Sequence, residues 1–397
     1  MMDRTTTLTL NQLEARDNPT IYGLGVATDF NLFALESINV YNSDIGGRVA
    51  VGQNANINNY GLGHELTNSN GTRDDLIVEG NLTFNNGQVF NGNIVYGGAA
   101  SLNSIGVPNG TVRQEAGVVD FAAAQAELEQ TSDIFCAETP NGTTRFTRRV
   151  LTLAGNHPTI NIFEVHASQL ETAHSIILLV PPGSDVLINV RGLDVDIHNL
   201  GLHFRGADCD DILWNFCSAE TLDMSAVDWQ GSILAPRTDV RFDNGQMHGT
   251  MVARNYVGNG QLHNCTSTFA FDIPEYANIS GLVFIDQFDG NGFRNSTYDP
   301  GEEFPLVEVD ITGVDILGRA VNRTEVTVDD GTYQFVNLWP GEYDVAAVVP
   351  DAFQTSTEDG IPGSLGGTPA PNSILNILAN PGDDGTDYQI YFVDALN

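Results

Sequence analysis

The amino-acid sequence predicts a mainly β protein: an N-terminal β-solenoid with one flanking α-helix, followed by a C-terminal β-sandwich. Three observations predict it. Gly231-Ser232-Ile233-Leu234-Ala235 returns eighteen residues later as Gly249-Thr250-Met251-Val252-Ala253, and a self-similar unit at about one coil length marks stacked rungs. A single stretch, residues 120–135, is rich in alanine, leucine, glutamate and glutamine. After Asp272 the strands alternate more regularly, and the basic residues thin out to Arg294, Arg319 and Arg323.

Residues 21–112 consist of short apolar alternations such as GRVAVG, DLIVEGNLTF and GQVFNGNIVYGG. Each reads as a strand closed by a tight corner, because Gly and Asn tolerate the left-handed backbone that corners require. Gly80-Asn81-Leu82 and Gly92-Asn93-Ile94 echo the Gly231 and Gly249 units. Residues 120–135 read as a helix capped by Asp120, with Phe121, Ala124, Leu128 and Ile134 along the face that packs on the coils. The β pattern resumes at Val150 through INIFEV, SIILLV, DVLINVRG and ILWNF. Residues 271–278 read as a linker, and 279–397 as a sandwich whose strands recur at turn-punctuated spacing.

Composition narrows the function. Asp and Glu number 51 against 16 basic residues, all of them arginine, for a net charge of −35. Such a chain repels phosphate backbones and anionic lipid heads, so neither nucleic acid nor membrane is an expected partner. The absence of lysine excludes Schiff bases, a P-loop ammonium and lysine–asparagine cross-links. The longest apolar run, residues 176–182, falls far short of the roughly 20 residues that cross a bilayer. Cys136, Cys209, Cys217 and Cys265 contain no CxxC pair, so a zinc or thioredoxin-like site is not expected. One or two disulfides or free buried thiols both fit the set, and the short loop between Cys209 and Cys217 favours that pair.

Several blocks in order, DFNLFALESINVYNSDIGGRVAVG, DLIVEGNLTF, VDFAAAQAEL, PPGSDVLINVRG, ILWNF, WQGSILAP and GNGQLHN, resemble the choice-of-anchor A domain of bacterial surface proteins across residues 21–265. That resemblance implies adhesion. The order of strands, one helix and more strands is also similar to ice-binding β-solenoids, a likeness of architecture that implies no ice binding. Residues 279–397 resemble the SdrD B-like repeat of bacterial adhesins through ISGLVFIDQFDGNG, DPGEE, VDDGTYQFVNLWPGEYDV and DYQIYFV. This implies an Ig-like or prealbumin-like β-sandwich whose first loop binds Ca2+. Asp286, Asp289, Asn291, Asp299 and Glu302 supply the hard oxygen donors for it, with Gly290 and Gly292 allowing the tight turn. Phe288 is inserted relative to the family's run of donors, and residues 294–298 lengthen the gap before Asp299. Related repeats form an internal Lys–Asn isopeptide bond, which this sequence cannot make. Residues 13–19, LEARDNP, resemble a segment near the start of some bacterial surface proteins, so residues 1–20 read as an export-type segment although they lack the apolar core of about 7–15 residues of a secretory signal. The C-terminal YFVDALN carries no sorting motif.

Residues 228–264 bring Asp228, Trp229, Asp243, His248 and His263 close together in sequence, the residue types of an active site or of a scaffold wall. None of these histidines, nor His198 and His203, has the helical His-Glu spacing of a zinc hydrolase, and no GxSxG elbow is present. Trp214 and Trp229 fit core positions, with sugar stacking as the alternative. No catalytic residues are therefore assigned. The expectation is a secreted or cell-surface bacterial adhesin or matrix protein that binds a glycan or protein ligand and is open to self-association. The alternative is a carbohydrate-binding or polysaccharide-degrading β-helix. Ice binding ranks last, since it predicts ordered Thr-x-Thr ranks, and the Thr alternation of TTTLTL at residues 5–10 lies outside the coil pattern.

Overall fold

A computed structural model describes residues 20–287, 295–350, 353 and 358–393. The expected export-type segment, except Thr20, and the TTTLTL run lie outside the described residues. The chain divides into two compact units, Tyr22–Phe271 and a second from Asp272 onward. The stretch read as a linker holds the strand Phe271–Ile273 and the start of the strand Ala277–Ile285.

In Tyr22–Phe271, short strands stack in parallel, except for the antiparallel hairpin of Thr143–Thr147 and Val150–Ala154. One ladder runs through Val112–Gln114, Asn93–Tyr96, Asp74–Val78, Val49–Val51 and Leu32–Ala34. It continues through Met251–Gly258, Ser232–Asp243, Ile212–Phe216, Asp185–Arg191 and Ile160–His166. The coils are thus not stacked in chain order: the last coil lies on the first, with Leu32 opposite Met251. The repeated unit found in the sequence forms adjacent rungs, Ile233 opposite Met251 and Ala235 opposite Ala253. A second ladder joins Ala100–Gly106, Leu82–Val89, Ala55–Leu62 and Ile38–Ile45 to the C-terminal coils. A third side is built from Asp228–Gln230, Gln246–His248 and Gln261–His263, and from a four-stranded sheet of Thr143–Thr147, Val150–Ala154, Ser175–Leu179 and Gly201–Arg205.

Alternation explains the interior. Leu32, Val49, Leu76, Ile94, Ile233 and Met251 are fully buried and point inward as one column. Corners close on backbone: a Cβ on Gly80 would lie 2.2 Å from Gln53 O, and one on Gly249 would lie 2.6 Å from Gly231 O. The echo between these units is therefore chemical rather than positional. Gly92 and Gly249 precede strands of the first ladder, whereas Gly80 precedes a strand of the second.

The strand Ile212–Phe216 and the start of Ser232–Asp243 in the first ladder are buried on both sides, because helix α1 (Phe121–Ala137) packs against their outer face. Asp120 caps α1 by accepting from the Ala123 amide at 3.0 Å. Its buried face is Ala124, Leu128, Thr131, Ser132 and Phe135, while Phe121 and Ile134 are only half-buried. The polar members have a cause. Ser132 donates to Asn215 Oδ1 at 2.7 Å, Asn215 donates to Asn189 Oδ1 at 2.9 Å, and Asn189 donates to Phe135 O at 2.5 Å. A second helix, α2 (Ala167–Thr172), adds to the single one expected. The disulfides correct the sequence expectation: Cys136 pairs with Cys217, and Cys209 with Cys265, so Cys209–Cys217 does not form. Cys217 follows the strand Ile212–Phe216 on which the end of α1 docks, and that docking brings Cys136 to it.

The second unit has a three-stranded sheet, Thr332–Leu338, Ala277–Ile285 and Asp384–Phe392, and a five-stranded antiparallel sheet of Ala320–Val326, Glu308–Asp315, Gly341–Ala347, Ser373–Ala379 and Thr368–Ala370. Ile279, Phe335 and Ile390 of the first share one apolar cluster with Ile311, Val345 and Ile377 of the second.

Candidate functional site

The second ladder presents an outward face that no helix among the described residues covers. Register places Asn39, Asn56, Thr83 and Ser101 in one outward row, and Asn58, Asn85 and Asn103 in another. Amides bridge rungs: Asn56 donates to Asn39 at 3.0 Å, and Asn103 to Asn85 at 2.8 Å. The strands bend at Asn42, Asn59, Asn86 and Ser104, with φ of 56, 53, 53 and 54°. Asn accepts this left-handed bend at little cost, and Asn59 donates to Asn42 at 3.0 Å. This column is legible in the sequence only as asparagines recurring at roughly a coil length. The lower half of the same face is charged. Asp196, Asp223 and Arg241 continue the first row, and Ser37, Asp239, Asn255 and Arg241 line a shallow groove where the N- and C-terminal coils meet. Arg254 pairs with Asp239 at 2.7 Å and Arg241 with Asp243 at 2.8 Å, while Tyr41 donates to Asp243 at 3.2 Å.

Of the histidines, His248 and His263 stack with ring centroids 4.6 Å apart. Asp228 lies 3.5 Å from His248, and Glu65 lies 2.7 Å from His263 Nδ1. Asp243 is engaged elsewhere by Arg241. His198 instead meets Ser225 at 2.6 Å and contacts Asp196 on the exposed face; His203 lies apart on Gly201–Arg205. Trp214 and Trp229 are buried with rings 4.6 Å apart, so neither is open to stack on a sugar.

Burial, then the neighbouring His263, lowers the His248 pKa. Burial pushes the Glu65 carboxyl up, but the hydrogen bonds from His263 and the Asn264 amide and the nearby imidazoles outweigh it and hold it low. The unfolded chain, with ordinary histidine near pH 6.5, then takes up the proton before the folded one. Stability is complete above that pH and is lost as pH falls, first through His248 and at lower pH through Glu65. The denaturant midpoint of the chain is expected to fall between pH 7.5 and pH 5, and His248→Gln is expected to shrink the fall; an unchanged fall would remove His248 as its source.

Among the predicted calcium donors, Asp289 and Asn291 lie outside the described residues. Asp286 is buried: its Oδ2 accepts from the Ser296 amide at 3.2 Å, and its Oδ1 meets no hydrogen-bond donor among the described residues. Glu302, also buried, accepts from the Gln287 and Asp299 amides at 2.8 and 2.9 Å. Asp299 accepts from Asn295 at 2.9 Å. The described residues do not gather Asp286, Asp299 and Glu302 into a set with oxygens all within 4.8 Å. A buried carboxylate oxygen without a donor is costly, and the donor set is all oxygen, which fits a hard cation.

A β-solenoid with a helix along one side and a bare polar ladder on another defines the class of this chain. Residues 23–264 match the family described as "Putative Ice-binding-like adhesive domain", and the chain belongs to that family. Its adhesive character implies a surface or extracellular role and a ligand outside the chain. Among solved structures, ice-binding protein 1 of Shewanella frigidimarina is similar at 13% identity, over 63% of this chain and 99% of that one, with a TM-score of 0.30. Ice-binding proteins of the Antarctic ascomycete Antarctomyces psychrotrophicus and of an Arctic yeast are similar at 10% and 12% identity, over 62% and 61% of this chain and 98% and 93% of theirs, with TM-scores of 0.27 and 0.29. No curated protein matches the chain.

Proposed function

We propose that this chain is a secreted or cell-surface bacterial adhesin or matrix protein of choice-of-anchor A type, which holds a ligand and catalyses nothing. The observation that carries the reading is the uncovered row of Asn39, Asn56, Thr83 and Ser101, uncharged and in register on a rigid ladder. Such a face offers many weak hydrogen bonds to a glycan or protein surface at small cost in ordering. The two disulfides support an oxidising, extracellular setting. The unit from Asp272 onward serves as an SdrD B-like β-sandwich stalk, stiffened by Ca2+ held by Asp286, Asp289, Asn291, Asp299 and Glu302. The ion would neutralise the buried Asp286 carboxylate.

Arrays of glycans and matrix proteins test the adhesive reading. Binding that falls when Asn56 and Asn85 are replaced by aspartate supports it, and binding to nothing on either array, or cleavage of a polysaccharide, overturns it. Calcium is tested separately by melting: EDTA is expected to lower the transition of the second unit, and an unchanged transition rejects the assignment. The groove lined by Asp223, Asp239 and Arg241 favours a second reading, a carbohydrate-binding solenoid. It predicts binding confined to sugars and abolished by Asp223→Asn.

A further inference from the structure

Nine of the thirteen arginines among the described residues are ion-paired to carboxylates, including Arg113 with Asp74 at 2.6 Å and Arg237 with Asp133 at 2.8 Å. The remaining four, Arg145, Arg148, Arg149 and Arg205, all belong to one place, the four-stranded sheet on the third side of the solenoid. All four are exposed, and none of the sheet's strands carries an acidic residue, in a chain with 51 of them. Register puts Arg145, Thr152, Ile177 and His203 in one row and Thr143, Ala154, Leu179 and Arg205 in the next, with the outer residues of each row exposed.

The turn that joins the first two strands is strained. Arg148 and Arg149 occupy its two central positions with φ of 52 and 66°, a conformation in which Asn and Gly are preferred and long side chains pay a steric cost. Arg149 is fixed by donating from Nε to Thr172 O at 2.7 Å, and no carboxylate among the described residues pairs with its guanidinium. A hairpin that keeps arginine where asparagine-glycine would fold better is consistent with a role other than folding.

We propose that this sheet is a binding site for an acidic polysaccharide, one bearing carboxylate or sulfate groups. Guanidinium groups fit both anions with paired hydrogen bonds. Exposed Leu179 and half-buried Ile177 lie between the charges and suit the C–H faces of sugar rings, which a phosphate backbone does not offer. The net charge of −35 confines attraction for a polyanion to this patch. The site is distinct from the asparagine face, and the inference rests on the adhesive reading only for the nature of the ligand.

The full chain is titrated with alginate, dextran sulfate and neutral dextran at low and high salt. Binding to the two anionic polymers and not to dextran is expected, weakening at least tenfold in R145S/R205S and in R148N/R149G. Because Asn-Gly suits the turn, R148N/R149G is expected to raise the melting temperature while it loses binding, which separates the site from the fold. Polymer binding untouched by either double variant overturns the proposal. So does absence of binding to either polymer, or sedimentation showing that the patch pairs with the acidic surface of a second copy. Loss of neutral-glycan binding in the Asn56 and Asn85 variants, with alginate binding intact, leaves this site standing; the reverse removes this site alone.

Discussion

Replacing Cys136 and Cys217 together by serine is expected to lower the stability of the solenoid by roughly 4–5 kcal/mol, the loop-closure entropy of a bridge of this span. The residues are 81 apart in sequence, and the link ties the last turn of α1 to the wall it covers. Beneath it lies the buried Ser132–Asn215–Asn189 chain of hydrogen bonds, whose partners would face water or lose their donors once the helix end lifts. Reduction of the wild-type chain should therefore expose Phe135 and Asn215 to hydrogen exchange before the coils open. Equal denaturant midpoints for the wild type and the double serine variant would show that docking does not depend on the bridge. Cys209–Cys265 should act independently, because it fastens a different loop.

Trp214→Ala is expected to cost about 3–5 kcal/mol, the range for emptying a large buried aromatic site. Its ring is fully buried against Trp229, and its Nε1 donates to Gln230 O at 3.1 Å. A stack of coils has no spare volume to close such a hole, because the rungs on either side are fixed by their backbone ladders. Trp229 provides a contrast. Its Nε1 is buried and meets no acceptor among the described residues, so Trp229→Phe removes an unsatisfied donor and should cost less than Trp214→Phe, which breaks a made bond. Equilibrium unfolding of the two phenylalanine variants measures the difference; the opposite order would show that ring volume, not the hydrogen bond, governs this part of the core.

Much of the solenoid is legible in the sequence. The eighteen-residue offset between Gly231 and Gly249 is the register between two rungs, as it is between Leu76 and Ile94, whereas coils with longer corner loops advance further, Val49 lying opposite Leu76. Asp120 as a cap and residues 120–135 as the helix were legible because capping and composition are local. The residues proposed to hold calcium were implied by the resemblance to the SdrD B-like repeat, and of them only Asp286, Asp299 and Glu302 fall among the described residues. The arginine sheet was not legible: Arg145, Arg148 and Arg149 stand close in sequence, but nothing marks them as unpaired until Arg205 and His203 join them across three strand pairings.

The sequence by itself determined what is local or periodic: coil length, corner residues, the helix start and the acidic balance, all fixed by backbone preference and side-chain alternation. Tertiary structure alone decided which coil lies on which, that Cys217 meets Cys136 rather than Cys209, and which of the described arginines lack a carboxylate. The first of these depends on the last coil docking against the first, a contact between segments more than two hundred residues apart (Leu32 with Met251), and no local signal encodes a pairing set by the burial of two open ladder edges.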